Sequence, residues 1–154
     1  MKKITEHKID FLAASKAFGL PLESMIEFIN DGRIIGRLGE FIDANNDGGE
    51  RVNENSSYDV VKQNNYKREI RSAKKTVSFA SSKEVGYGRK VTEQGFKDKL
   101  DSVDDFGIID SRNLETEGKL VIYSLTKEDI NKLELGKTKS MSANKFWEKV
   151  DSWI

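Results

Sequence analysis

Two short segments of the chain, YDV and EIR, carry charged residues at a spacing that could do chemistry. Asp59 lies in one predicted strand, and Glu69 and Arg71 lie in the next, with Ile70 between them. Because side chains alternate along a strand, Glu69 and Arg71 share one face and Ile70 takes the other. Paired carboxylates suit a hard cation such as Mg²⁺, and an adjacent cation can hold a phosphate or stabilise an attacking hydroxide. The predicted chemistry is hydrolysis of a phosphodiester.

Positive charge is concentrated around these residues, although the formal net charge of the chain is zero. The acidic residues gather nearer the N-terminus, whereas residues 62–99 are rich in Lys and Arg. Local potential rather than net charge attracts a polyanion. Within this stretch the predicted DNA-contacting residues are Lys74, Lys75, Ser81, Lys83, Tyr87, Arg89 and Lys90. The alternative interpretation is an ordinary charged loop in contact with solvent.

Residues 81–90 have further features of a phosphate-binding loop. Gly86 and Gly88 allow the backbone to approach a ligand closely, and the serine hydroxyls can donate to phosphate oxygens. Arg89 is also able to pair with a guanine edge. The loop therefore predicts contact with the DNA backbone.

Length and composition restrict the other possibilities. A chain of 154 residues and 17.5 kDa fits a single domain, 1–154. The absence of cysteine and the single histidine, His7, argue against thiolate chemistry, zinc sites and Ser-His-Asp hydrolases. We expect His7 to be a surface residue. No apolar run of signal-peptide or membrane-spanning length occurs, which predicts a soluble, cytoplasmic protein without a membrane partner.

Hydrophobic periodicity predicts helices at 10–19, from Pro21 to about residue 29, and from Arg33 to about Ala44. Strands are expected at 58–61 and 66–72, which would form a hairpin, and at 76–82, 106–110 and 119–125. Helical patterns follow Val91 and Ala143, and Thr126 with Asp129 predicts a capping box. This order predicts an α/β fold with a central mixed sheet flanked by helices.

The chain resembles the PD-(D/E)xK nuclease superfamily, which includes many type II restriction endonucleases. The resemblance runs from GRLGE (36–40) through YDV (58–60) to EIR (69–71), and the strands FGIID and KLVIYSL follow. It implies a restriction-endonuclease-like core at 33–154, preceded by an N-terminal helical pair at 1–32. It also implies a Mg²⁺-dependent endonuclease that acts on double-stranded DNA. We expect a homodimer, because cutting both strands calls for two sites.

The same resemblance implies roles for individual residues. Asp59 and Glu69 would hold Mg²⁺, Glu40 would assist from its helix, and Arg71 would stand where the family usually has lysine. Arginine is too basic to deprotonate water, but it can clamp a phosphate oxygen. Lys74 or Lys75 could then supply the missing ammonium group.

Two alternative functions follow from other segments. Residues 43–54 place Asp43, Asn45, Asp47, Gly48 and Glu54 as an EF-hand calcium loop would. The N-terminal helical pair resembles a helix-turn-helix of the excisionase kind, which would make the protein a non-catalytic DNA-binding or regulatory protein. Glu23 and Glu27 on its second helix would repel phosphate.

Overall fold

A computed structural model describes residues 1–52 and 56–154. The strands are β1 (Lys2–Lys8), β2 (Glu50–Arg51), β3 (Val60–Val61), β4 (Lys67–Ser72), β5 (Thr76–Ser78), β6 (Asp105–Asp110), β7 (Lys119–Thr126) and β8 (Ser140–Ser142). The α-helices are α1 (Phe11–Phe18), α2 (Leu22–Ile29), α3 (Gly32–Asn46), α4 (Glu93–Ser102), α5 (Leu114–Glu117), α6 (Lys127–Lys132) and α7 (Ala143–Val150). Short 3₁₀ turns occupy Gln63–Asn65 and Asp151–Trp153.

Six strands form one mixed sheet in the order β1-β7-β6-β4-β3-β2, while β5 and β8 pair separately. The strands β4 and β6 are parallel, and the other neighbours in the large sheet are antiparallel. The segment that connects β4 to β6 contains α4, as a parallel connection requires a crossover. The predicted α/β plan with a central mixed sheet is confirmed.

Capping residues fix the helix ends that the sequence predicts. Asp10 accepts a hydrogen bond from the Ala13 amide at the start of α1, and Gly19 ends that helix in the left-handed region, at φ 64°. Thr126 and Asp129 form the predicted capping box of α6. Helix α3 begins at Gly32, where Asp31 caps it, and extends to Asn46. These predicted helices are confirmed.

Apolar side chains divide between the two faces of the sheet according to strand alternation. One core cluster contains Phe106 and Ile108 of β6 with Phe146 and Trp147 of α7. The other contains Ile70, Ile109 and residues of the first three helices, such as Ile35 of α3. Glu69 and Arg71 therefore belong to the face of β4 opposite to Ile70.

Gly39 lets α3 approach the sheet closely. A Cβ atom at this position would lie 2.1 Å from Cδ1 of Ile109 and 3.3 Å from Cγ2 of Ile70. A side chain cannot be accommodated there without displacing core residues. Close packing therefore explains a glycine inside a helix, where propensity alone disfavours it.

Three strands differ from the sequence-based expectation. Residues 2–8 form the edge strand β1, paired with β7, where no strand is predicted, and β2 lies in the expected polar loop. Strand β8 precedes the predicted C-terminal helix and pairs with β5. These segments are short or largely exposed, so they lack the apolar alternation that identifies a half-buried strand. The predicted hairpin is present, but its first strand is only Val60–Val61.

In the part of the chain that the structure describes, no helix is long and apolar enough to cross a membrane.

Candidate active site

Glu69 is the centre of a buried charge cluster. It is only 4% exposed, and its Oε1 lies 2.6 Å from Nη1 of Arg71 while its Oε2 lies 2.7 Å from Nζ of Lys99. Lys99 is also buried, and its ammonium donates to the Ser57 carbonyl oxygen. A carboxylate and a lysine are thus held together in an environment with little water.

Strand pairing places the cluster on the sheet. Glu69 and Arg71 lie beside Phe106 and Ile108 of the parallel strand β6, which belong to the apolar core of the same face. Helix α4 crosses this face and brings Lys99 onto Glu69. The predicted alternation of Glu69, Ile70 and Arg71 is therefore present, and Ile70 packs on the opposite face.

Asp59 lies next to Glu69 across the hairpin. Asp59 directly precedes β3, and its amide donates to the carbonyl oxygen of Arg68, the residue before Glu69, at 3.0 Å. Its Oδ2 accepts a hydrogen bond of 2.7 Å from the Ile70 amide, which fixes the carboxylate beside β4. The two predicted carboxylates are thus brought together, as the sequence pattern indicates.

Burial dominates the electrostatics of the cluster. It raises the pKa of Glu69, and the attraction of Arg71 and Lys99 offsets only part of this effect, while the nearby Asp59 charge raises the pKa further. Burial lowers the pKa of Lys99, although Glu69 opposes the change. Both groups are therefore easier to neutralise than in water, which is typical of residues that exchange protons in catalysis.

Arg71 is anchored by the backbone as well as by Glu69. Its Nε donates to the Ser78 carbonyl oxygen at 2.9 Å, and its Nη2 donates to the Ala80 carbonyl oxygen at 3.4 Å. The guanidinium therefore links β4 to the segment that leads into the loop at 81–92. This arrangement positions Glu69 and the loop, and it differs from the phosphate clamp that the sequence suggests.

The cluster adjoins a cavity of about 420 Å³, whose lining residues are polar or charged apart from one glycine. Lys99 is among its lining residues, together with the predicted DNA-contacting residues Ser81 and Lys83. Its other lining residues are Ser56, Ser57, Ser82, Glu84, Gly95, Asp98 and Ser102. Hydroxyl and ammonium donors are the groups that bind phosphate oxygens, so a phosphate in this cavity would lie close to the charge cluster.

Lys99 is the site residue that the sequence-based interpretation omits. It shares a helical stripe with Phe96, Leu100 and Val103, which pack into the apolar core around Phe106. A lysine on an apolar stripe indicates a buried charge that needs a partner. That signal was present in the sequence, but only the fold identifies Glu69 as the partner.

Lys74 and Lys75 lie elsewhere. They line a larger cavity, of about 900 Å³, together with residues of α2 such as Glu23 and Glu27. Lys74 donates to the Asn30 carbonyl oxygen. The structure therefore does not bring either lysine into the cavity that Lys99 lines.

Glu40 is engaged by arginines. It lies on α3, the helix that packs on the Ile70 face, and its Oε2 accepts hydrogen bonds from Arg51 at 2.8 and 3.1 Å and pairs with Arg37 at 3.3 Å. The guanidinium of Arg51 also stacks over Phe41. These contacts join α3 to β2 and do not link Glu40 to the Glu69 cluster.

Tyr87, Arg89 and Lys90 lie on an exposed loop that begins at the cavity wall. Glu84 accepts hydrogen bonds from the Thr92 hydroxyl at 2.6 Å and from the Thr92 amide at 3.0 Å, so the two ends of the loop are tied together. These bonds lower the pKa of Glu84. The predicted DNA-contacting residues of the loop are thus accessible and adjacent to the cavity.

The calcium-loop alternative does not fit the structure. Asp43 and Asn45 lie within α3, and Asp43 is buried in an ion pair of 2.9 Å with Arg68. The last position of the loop, Glu54, lies outside the described residues. His7 is exposed on the edge strand β1, as predicted.

Asp59 and Glu69 fit Mg²⁺ by their donor chemistry. Among residues 1–52 and 56–154, no group of three or more His, Asp or Glu side chains is arranged to hold a metal ion. Mg²⁺ commonly retains several waters and binds one or two carboxylates together with substrate phosphates. Two neighbouring carboxylates match that smaller ligand set, and a metal ion at Glu69 would replace its ion pairs with Arg71 and Lys99.

Comparison of the chain with models of protein families, with curated proteins and with solved structures finds no significant match. The function is therefore inferred from the site itself.

Proposed function

We propose that the protein is a Mg²⁺-dependent endonuclease that hydrolyses phosphodiester bonds of DNA. The observation that carries the proposal is the buried Glu69–Lys99 pair, which lies beside Asp59 and borders a cavity lined with Ser81 and Lys83. Carboxylates, a lysine and phosphate-binding donors are the groups that metal-assisted phosphodiester hydrolysis requires. The resemblance to the PD-(D/E)xK superfamily supports the same conclusion.

Asp59 and Glu69 would hold the metal ion, which when bound stabilises charge on the phosphoryl oxygens and acidifies water. Ser81 and Lys83 orient the phosphate by donating to its non-bridging oxygens. A water oxygen forms a bond to phosphorus while the bond to the leaving ester oxygen breaks.

Lys99 is the residue that we assign as proton acceptor. Its Nζ receives the proton of the attacking water, and the leaving oxygen takes a proton from solvent. Burial lowers the pKa of Lys99, which increases the fraction of neutral amine that can act as a base. Lys99 thus provides the lysine amine that the EIR segment lacks, and Arg71 acts as a positioning residue for Glu69.

Double-stranded DNA remains the proposed partner, and a homodimer the proposed assembly, because two sites are needed for a double-strand break. The mass of the protein in solution, measured with and without DNA, tests the assembly.

Incubation of the protein with plasmid DNA, with and without Mg²⁺, tests the activity. We expect cleavage only with Mg²⁺, and we expect Asp59→Asn and Glu69→Gln to lose it while circular dichroism shows a retained fold. Glu128→Gln, at an exposed position on α6, is the matched control and should cut normally. Cleavage by Asp59→Asn or Glu69→Gln at the wild-type rate would refute the assignment of the site.

A further inference from the structure

Tyr87 is fully exposed, at 107% of its reference area. It lies at the tip of the loop that starts at the cavity wall, and Val85 beside it is 47% exposed. Aromatic side chains gain free energy when their rings are covered, so full exposure leaves a ring face available to a ligand.

Specific contacts within the loop keep the Tyr87 side chain exposed. Gly86 and Gly88, on either side of Tyr87, have φ values of 132° and 72°, which side-chain-bearing residues rarely adopt. Nη1 of Arg89 donates to the Ser82 and Val85 carbonyl oxygens, and the Arg89 amide bonds to the Gly86 carbonyl oxygen at 3.1 Å. The tip is therefore shaped by its own hydrogen bonds, with the ring directed away from the protein.

Helix α4 supports the base of the same loop. Glu84 bonds to Thr92, the N-cap of α4, and its carboxylate occupies space that a side chain at Gly95 would need. A Cβ atom at Gly95 would lie 2.1 Å from Oε1 of Glu84. The helix that carries Lys99 therefore also fixes the root of the loop that presents Tyr87.

Tyr87 lies close to the cavity where cleavage is proposed. Tyr87 is three residues beyond Glu84, which lines the cavity, so their Cα atoms are at most about 11 Å apart. A DNA strand in a duplex advances about 3.4 Å per nucleotide. The ring can thus reach a base within about three nucleotides of a phosphate held in the cavity.

From this geometry we infer that Tyr87 stacks on an unpaired base, and that the substrate is DNA with an unpaired base within about three nucleotides of the cleaved bond, as at a junction between duplex and single strand. The inference rests on the proposed nuclease function and narrows its substrate. Within an intact duplex, the faces of a base are covered by its neighbours, whereas an unpaired base offers a face for stacking. Lys83, Arg89 and Lys90 supply charge for the adjoining phosphates.

The test is DNA binding in EDTA, where cleavage cannot occur, to three DNAs of one sequence: single strand, full duplex, and duplex with one unpaired 2-aminopurine. We expect the wild-type protein to bind the DNAs with an unpaired base more tightly than the duplex and to quench 2-aminopurine fluorescence. Tyr87→Ala should weaken binding to these DNAs about 5- to 150-fold, the loss expected when one aromatic–base stack is removed. Tyr87→Phe should keep the affinity within about twofold, because the ring remains.

Phe18→Ala is the matched control, since Phe18 is an aromatic residue on α1 that is 69% exposed, and it should bind like the wild type. The inference is overturned if the wild-type protein binds duplex as tightly as single strand, or if Tyr87→Ala weakens binding to all three DNAs equally. Neither result contradicts the proposed Mg²⁺-dependent cleavage. Absence of both DNA binding and cleavage refutes the nuclease proposal, and this inference with it.

Discussion

Lys99 Nζ lies 2.7 Å from Glu69 Oε2, and both side chains are buried although one is on a helix and the other on a strand. Together with Arg71, Lys99 neutralises the carboxylate that the sequence singles out. The sequence-based interpretation places Arg71 beside the carboxylates and offers Lys74 or Lys75 for the missing ammonium group, but both of these lysines line a different cavity.

The first prediction compares these lysines. Lys99→Met should lower the single-turnover cleavage rate about 10²- to 10⁴-fold, the usual contribution of a positioned acid or base. Lys74→Met and Lys75→Met, measured at saturating Mg²⁺, should cut at rates close to the wild type. If Lys99→Met cleaves at a rate close to the wild type, or if Lys75→Met cleaves slowly, Lys99 is not the proton acceptor.

The second prediction concerns pH. Because the pKa of Lys99 is lowered from 10.5, the neutral amine becomes populated at a lower pH than for a free lysine. The cleavage rate should therefore rise with pH through that lowered pKa and then level off. The residual activity of Lys99→Arg should lack this step, because arginine stays protonated over the same range. A step of equal size in both proteins would show that another group titrates.

The third prediction concerns the basic loop. Replacing Lys83, Arg89 and Lys90 together by Ala should weaken DNA binding and reduce the slope of log affinity against log salt. Each lost phosphate contact removes about 0.9 from that slope for duplex DNA. Titrations at several salt concentrations measure this slope. Tyr87→Ala is the control, because it removes no charge and should keep the wild-type slope. An unchanged slope in the triple variant would exclude the loop from the interface.

The fourth prediction contrasts two arginines that each pair with two aspartates. Arg68 is buried with Asp43 and Asp105, whereas the side chain of Arg112, paired with Asp110 and Asp151, is 42% exposed. Arg68→Met should lower the free energy of unfolding by about 3–5 kcal/mol, because two buried carboxylates lose their partner. Arg112→Met should cost less, about 1 kcal/mol, because its own side chain and that of Asp151 are 42% and 47% exposed and water screens their interaction. Urea unfolding measures the free energy of unfolding of both variants. Equal decreases would contradict the expectation that burial makes the Arg68 ion pairs more costly to break.

The fifth prediction separates two glycines of one helix. Gly39→Ala should destabilise the protein by about 1–3 kcal/mol, because the new methyl group collides with Ile109 and Ile70. Gly36→Ala should stabilise it by about 0.5–1 kcal/mol, since the added carbon meets nothing within 4 Å beyond its chain neighbours and its own helix backbone, and alanine favours the helix. Thermal unfolding of both variants checks the packing of α3, and a stable Gly39→Ala would contradict it.

Local patterns in the sequence determined the larger elements. The apolar stripes of α1–α3, the β-branched run of β7 and the capping box at Thr126 are local signals, because each depends on residues within one or two turns or along one strand. The alternation around Ile70 likewise determined that Glu69 and Arg71 share a face. These features required no knowledge of distant contacts.

Only the tertiary structure decided which distant residues meet. The parallel pairing of β4 with β6 and the packing of α4 across the sheet bring Lys99 to Glu69, whereas Glu40 forms an ion pair with Arg51. The edge strand β1 also has no signal in the local sequence, because its residues are largely exposed and its strand conformation comes from hydrogen bonds to β7 rather than from an apolar pattern. A buried charge takes the partner that the packing of the whole chain places within reach, and that choice is not encoded in any short stretch of sequence.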